Sequence, residues 1–208
     1  MRFDLQIIAS LIEDGSRVLD LGCGTGDLLQ FLVQRKRCLG SGIEIDEKEV
    51  IECVEKALSV LQGDLNEETC DFPDGAFDYV ILSQTLQQVY DPEKVIAEML
   101  RIGHRGIVSF PSFNHYAIKF QLLLKSRAPV TKELPFQWYD TPNIRVITLK
   151  DFRRFCAERR INILEEIAIS THYKEDTGKI VKFLPDWFAK YGIFLITGDQ
   201  PEFREHNT

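Results

Sequence analysis

The sequence predicts an α/β domain built on a doubly wound, mostly parallel seven-stranded sheet. Three observations predict it. Short runs of aliphatic and β-branched residues alternate with helical stretches from residue 17 to residue 110, the order that sets parallel strands side by side under helices on both faces. The first run feeds a glycine-rich turn that opens a helix, as in sheets that bind a nucleoside at the carboxyl ends of their strands. No repeat or linker interrupts the 208 residues. Residues 1–208 are therefore expected to form one domain, with an inserted helix and loop segment at about 112–147.

The elements follow in order. Phe3, Ile7, Ile8, Leu11 and Ile12 fall at helical spacing and predict a packed amphipathic N-terminal helix. Residues 17–21 read as the first strand, 26–36 as a helix and 39–45 as the second strand. Asp46 is placed to cap the next helix, and Glu49 three residues on completes a capping-box pattern. Residues 59–62 and 77–83 are the third and fourth strands. Pro92 suits the first turn of a helix that reaches Arg101. Residues 106–110 form a fifth strand that Pro111 stops. Beyond it the regularity weakens: 113–124 looks helical, and 125–146 is a long irregular segment with Pro129, Pro135 and Pro142. Thr148 and Asp151 open a helix ending near Arg160, and 161–170 and 191–197 are the last two strands, with a short helix at 185–190 between them.

Composition narrows the function classes. With 44% hydrophobic and 27% charged residues the chain is an ordinary globular sequence. Its 25 Lys and Arg against 32 Asp and Glu leave a net charge of -7, which argues against binding a nucleic-acid backbone. Arg35, Lys36 and Arg37 read as the basic end of a helix, and Arg153, Arg154, Arg159 and Arg160 as a solvated helix face. Cys23, Cys38, Cys53, Cys70 and Cys156 form no CxxC pair, which predicts free thiols in a reducing compartment. The histidines His104, His115, His172 and His206 are equally scattered, so no metal site is expected. Residues 1–13, with Asp4 early and no small-residue cleavage site, do not read as a secretory leader, no apolar run reaches membrane-spanning length, and a cytoplasmic protein with no membrane partner is expected.

The chemistry concentrates in Val18-Leu-Asp-Leu-Gly-Cys-Gly-Thr-Gly26. Glycines at 22, 24 and 26 let the backbone turn tightly and let a ligand approach the main chain, and the helix N-terminus beyond favours negative groups. The spacing is GxGxG with Asp20 two residues ahead, not the GxGxxG of a dinucleotide fingerprint. Glu44 closes the second strand, 24 residues after Asp20, where a carboxylate can accept both hydroxyls of a ribose. Asp64 closes the third strand, where it can accept from an adenine amino group. Asp46 reads as a plain helix cap.

Taken together, residues 16–110 resemble the class I S-adenosylmethionine-dependent methyltransferases, which have a Rossmann-like fold. The resemblance implies that the glycine turn lies under the methionine part of S-adenosylmethionine or S-adenosylhomocysteine. It gives Asp20, Gly22, Gly24, Glu44, Asp64 and Leu65 cofactor-binding roles, with Ile45 against the adenine and Ser83 near the methionine. A narrower likeness lies in Asp78-Tyr-Val-Ile-Leu-Ser-Gln-Thr-Leu-Gln87, Arg105-Gly-Ile-Val-Ser-Phe-Pro111 and Pro135-Phe-Gln-Trp-Tyr-Asp-Thr-Pro-Asn143, which resemble the MetW family. That resemblance implies a role in methionine biosynthesis beside a homoserine O-acyltransferase.

Whether the chain catalyses anything is a separate question. Methyl transfer from a sulfonium needs alignment and a desolvated pocket more than a proton-transfer group. Many small-molecule methyltransferases carry a histidine or acid just after the fourth strand, whereas this chain has Gln84 and Gln87, which move no proton. Two readings follow: an accessory of homoserine acylation tuned by the cofactor, or an active methyltransferase on a small carboxylate or amine. Gln84, Gln87, His115, Trp138 and Tyr139 are the candidates for an acceptor pocket. The aromatic residues have two other uses, packing a long loop onto the sheet or meeting the partner enzyme. Because 125–143 is long for a connector and carries Phe136, Trp138 and Tyr139, the partner contact is expected there.

Overall fold

A computed structural model describes residues 1–126, 128–131, 136–172 and 175–198. Pro135 of the third motif and His206 lie outside them. Helix α1 (Phe3–Ser10) precedes β1 (Arg17–Leu21), α2 (Asp27–Lys36), β2 (Leu39–Glu44), α3 (Glu47–Glu55) and β3 (Ser59–Gln62). Then come α4 (Leu65–Glu68), β4 (Phe77–Ser83), α5 (Pro92–Ile102), β5 (Gly103–Pro111) and α6 (Tyr116–Lys125). The remainder is α7 (Leu149–Glu158), β6 (Asn162–Thr171), β7 (Gly178–Ile180), α8 (Pro185–Phe188) and β8 (Tyr191–Thr197).

The strands form one sheet in the order β3-β2-β1-β4-β5-β8-β6-β7. β1 to β5 pair parallel with one another, and β8, β6 and β7 join antiparallel. The sheet therefore has eight strands where the sequence predicts seven. The extra strand, β7, is a three-residue edge that pairs Gly178 with Thr171. β5 also starts three residues before its expected start and carries Pro111 into pairing with Tyr191. α1 stops at Ser10, short of the expected packing stripe's end at Ile12.

Both faces of the sheet are covered, which is why the central strands are apolar on both sides. Alternation sorts their side chains. Tyr79, Ile81 and Ile107 pack with Leu5, Ile8, Leu28 and Leu32 under α1 and α2. Val80, Leu82 and Val108 pack with Val95, Met99 and Phe152 under α5 and α7. Helix starts follow the predicted chemistry at Asp46, Pro92 and Thr148, with Asp91 as a cap beyond those expected from the sequence. The Asp46 carboxylate accepts from the Lys48 and Glu49 amides, Asp91 accepts from the Lys94 amide just ahead of Pro92, and the Thr148 hydroxyl accepts from the Asp151 amide. The capping box at Asp46 is only half made: the Asp46 amide donates to Glu44, not to Glu49. Glu44 ends β2 two residues earlier and reaches that amide first.

Candidate functional site

The strand order places β1 between β2 and β4, so the chain leaves the sheet in opposite directions on the two sides of β1. A crevice opens at the carboxyl ends of the strands at such a point. Its floor is the turn after β1. Gly22 and Cys23 donate their amides to the Ile43 carbonyl at 2.8 and 3.1 Å, which draws the turn over the end of β2. Gly22 has φ +72°, and a Cβ there would stand 2.8 Å from the Thr85 hydroxyl, so glycine lets the loop after β4 close down on the turn. Gly24 has φ +55°, but its Cβ direction is open except for a Glu49 carboxylate oxygen at 3.6 Å. Glycine at 24 thus leaves open space beside the turn among the described residues.

Glu44 ties this turn to the second strand. One oxygen accepts the Gly24 amide at 2.8 Å, and the other accepts the amides of Ile45 and Asp46 at 2.8 and 3.0 Å. The buried carboxylate is thereby part of the architecture, and its Oε2 retains a lone pair for a hydroxyl donor. Ile45 beside it is exposed. Asp64 caps α4 through one oxygen, which accepts the backbone and side-chain N–H groups of Asn66 at 2.8 and 2.5 Å; Leu65 packs half-buried against the core. Ser83 shares a hydrogen bond with Ser109 at 3.1 Å.

Asp20 is the outlier. It is 2% exposed, and its Oδ1 has no hydrogen-bond partner among the described residues. Burial first, and then the negative charge of Glu44, push its carboxyl up from 3.8 to about 7, with the cation of Arg2 pulling the other way. The folded chain therefore holds a proton that the unfolded chain releases. The stability carried by that proton is full below pH 3.8 and is lost as pH rises through about 7. Asp20→Asn should flatten this decline; thermal melts across the range check it, and an unchanged decline would assign it to another group.

Of the five acceptor-pocket candidates, the structure brings two together. Gln84, with φ +54°, donates its side-chain amide to Asp4 at 2.5 Å, and Gln87 donates to the Gln84 carbonyl at 2.6 Å. The Gln87 Oε1 is buried without a partner among the described residues. The Gln87 carbonyl also accepts the amides of Ile144 and Arg145 at 3.0 Å each, which pins the end of the inserted segment to the loop after β4. His115 is buried and caps α6 through Nδ1, 3.3 Å from the Ala117 amide. Trp138 and Tyr139 form an edge-to-face pair in solvent, 77% and 71% exposed.

Sequence reasoning missed Arg2 and Asp4. Asp4 is buried, accepts a two-pronged Arg2 guanidinium at 3.2 and 3.1 Å, and holds Gln84. A signal existed: Asp4 sits one turn before Ile8, a charge on the apolar stripe of α1. Burial pushes the Cys23 thiol well above the ordinary range and raises that of Cys53 beside it, so they pack as inert thiols.

Two other clefts, of about 450 and 360 Å³, lie at the opposite, amino ends of the strands. In the second the charges are matched: Arg105 meets Glu13 at 2.8 Å and the Tyr79 hydroxyl at 2.6 Å, and Arg17 meets Asp78 at 2.8 Å. Unpartnered acceptors mark the carboxyl-end crevice instead. Among the described residues, no three His, Cys, Asp or Glu side chains group to hold a metal, and no helix is long and apolar enough to cross a membrane.

This sheet order and this glycine turn define the Rossmann-like class I methyltransferase fold. A solved S-adenosylmethionine-dependent methyltransferase from Thermotoga maritima, described as a possible histamine N-methyltransferase, matches with a TM-score of 0.66 at 18% identity, covering 94% of this chain and 87% of that one. Another from Archaeoglobus fulgidus matches at 0.67 and 15% identity, covering 93% and 91%. Within that class, residues 2–196 match the model of the methionine biosynthesis protein MetW, and the chain belongs to the MetW family. A bifunctional methionine biosynthesis protein MetXA/MetW of Rhodopirellula baltica is 35% identical over 176 residues, which are 80% of this chain. The match spans only 28% of that longer protein.

Proposed function

We propose that this chain binds S-adenosylmethionine or S-adenosylhomocysteine in the carboxyl-end crevice and acts in the cytoplasm with a homoserine O-acyltransferase in methionine biosynthesis. The observation that carries the cofactor half is the buried Asp20 oxygen left without a donor, behind a turn that Gly24 keeps open. An α-ammonium supplies such a donor and a positive charge. Gly22 and Gly24 form the bed for the methionine with Ser83 near it, Glu44 Oε2 has a lone pair for a ribose hydroxyl, and Ile45, Asp64 and Leu65 frame the adenine. When bound, S-adenosylmethionine supplies an electrophilic methyl group.

The accessory half rests on membership of the MetW family, on the fused relative and on the β4 side of the crevice. Gln84 is held by Asp4, and Gln87 by the Gln84 carbonyl. Neither amide can take a proton from an acceptor. The chain's own residues thus bind and orient but move no proton at this position. The 1–208 chain acts as a single domain, with the 112–147 segment as the insertion that serves the partner.

Two results test this reading. Binding of an ammonium-bearing cofactor should ionise Asp20, release a proton and weaken as pH falls below about 7. Calorimetry in two buffers of different ionisation enthalpy should show that release for the natural chain and none for Asp20→Asn; equal release in both would remove Asp20 from the site. An assay with tritium-labelled S-adenosylmethionine against cell metabolites should show binding without steady turnover. Steady turnover would instead make the chain a methyltransferase on a small carboxylate or amine.

A further inference from the structure

α6 is apolar nearly all round, yet Ile118 is its one buried residue among the described ones. Tyr116, Phe120, Leu123 and Leu124, at successive helical turns, are exposed, the two leucines at 76% each. A helix of this composition is normally buried. α8 extends the same surface: Tyr116 meets Phe188 with ring centroids 5.8 Å apart, and the Lys119 ammonium lies 3.6 Å over the Trp187 ring. Phe183, Leu184, Trp187 and Phe188 are themselves exposed. The ridge is held in place. Arg153 of α7 pairs with Asp186 of α8 at 3.2 Å and with Glu166 of β6 at 2.7 Å. Scattered apolar residues on a surface need no partner, but a contiguous set of this size on two fixed helices marks an interaction site.

The ridge also stands at a telling place. β5 runs parallel to β4 and ends at Pro111, paired with Tyr191 at the start of β8. α6 follows that end of β5, and α8 precedes that start of β8. Both helices therefore rise from the carboxyl-end rim, the rim on which the cofactor crevice opens.

We infer that the α6–α8 ridge is the docking surface for the homoserine O-acyltransferase, an inference that rests on the pairing proposed above. The occupant is argued from the Rhodopirellula baltica relative, in which the MetW-like region is about a quarter of a polypeptide whose name joins it to MetXA. Covalent joining holds two units at millimolar effective concentration, which favours a surface that meets the other unit. The contact thus moves from the 125–143 loop, where the sequence predicts it, to the helix just before that loop. Rings and leucines on a fixed helix lose less freedom on docking than the same groups on a loop.

Titration of the purified acyltransferase with the intact chain and with its Leu123→Glu/Leu124→Glu double variant tests the inference. Both leucines face solvent, so the variant should fold, and a thermal melt confirms that it has. The variant should bind at least about tenfold more weakly, as hot-spot residues do, with affinity for S-adenosylmethionine unchanged. If the intact chain binds and the variant binds equally well, the ridge is not the interface while the pairing stands; Trp138→Ala then locates the contact in the loop. If the intact chain does not bind, the pairing itself fails. If the intact chain alone sediments as a dimer that the variant splits, the ridge belongs to a second copy and the inference is overturned.

Discussion

Gly24→Val should abolish binding of S-adenosylmethionine. The backbone at 24 is left-handed, with φ +55°, and among the described residues the one atom within 4 Å of the Cβ position is a Glu49 carboxylate oxygen at 3.6 Å. A valine there puts two methyl groups where the cofactor's methionine part is proposed to lie. The same variant strains the backbone by about 1–3 kcal/mol, so its melting temperature should fall by several degrees. Gly24→Ala carries most of that strain with a smaller side chain and controls for it. Calorimetry should find at least about a hundredfold loss for the valine variant, roughly 2.7 kcal/mol. A folded Gly24→Val that binds with natural affinity would remove the crevice as the cofactor site.

Glu44→Ala should weaken both the fold and the site. Its carboxylate accepts three backbone amides, those of Gly24, Ile45 and Asp46, and so joins the glycine turn to the end of β2. Hydrogen bonds to a charged acceptor contribute about 1.5–3 kcal/mol each, and water replaces the one at exposed Ile45. The expected destabilisation is about 3–6 kcal/mol, read as a lower denaturation midpoint. The cofactor should bind about ten- to a hundredfold more weakly, from the lost ribose partner and the loosened turn together. Glu44→Gln, which keeps one acceptor oxygen, should fall between. Natural stability in Glu44→Ala would mean that the amides are satisfied in some other way and that the carboxylate serves the ligand alone.

The parallel half of the fold was legible because each step has a local cause. Aliphatic runs of four to seven residues, a glycine turn after the first, the cap at Asp46 and Pro92 at a helix start name their elements without tertiary help. The eighth strand was not legible: Gly178, Lys179 and Ile180 are too few to show a period, and only pairing with β6 makes them a strand. Four-residue α4 escaped for the same reason, although its cap, Asp64, was singled out for another role. In the candidate site, Asp20 and Glu44 stand out in the sequence because they lie at the ends of β1 and β2, and Gly22 and Gly24 because they make the turn between β1 and α2. The contribution of Asp4 was hidden, because its partner Gln84 lies 80 residues away and meets it only when α1 packs across the sheet. Only 125–146 of the inserted segment reads as irregular, and Trp138 and Tyr139 within it stand in solvent. What sequence could not convey was that α6, which looks like a helix to be buried, leaves its apolar side bare.

The central claim is that one small chain holds a cofactor in its crevice and an acyltransferase on its surface. Calorimetric titration of S-adenosylmethionine into the purified chain, repeated with saturating homoserine O-acyltransferase present, tests it most directly. One cofactor per chain should bind in both titrations, with an affinity that the acyltransferase changes, since ridge and crevice share a rim. Heat of binding in neither titration would contradict it.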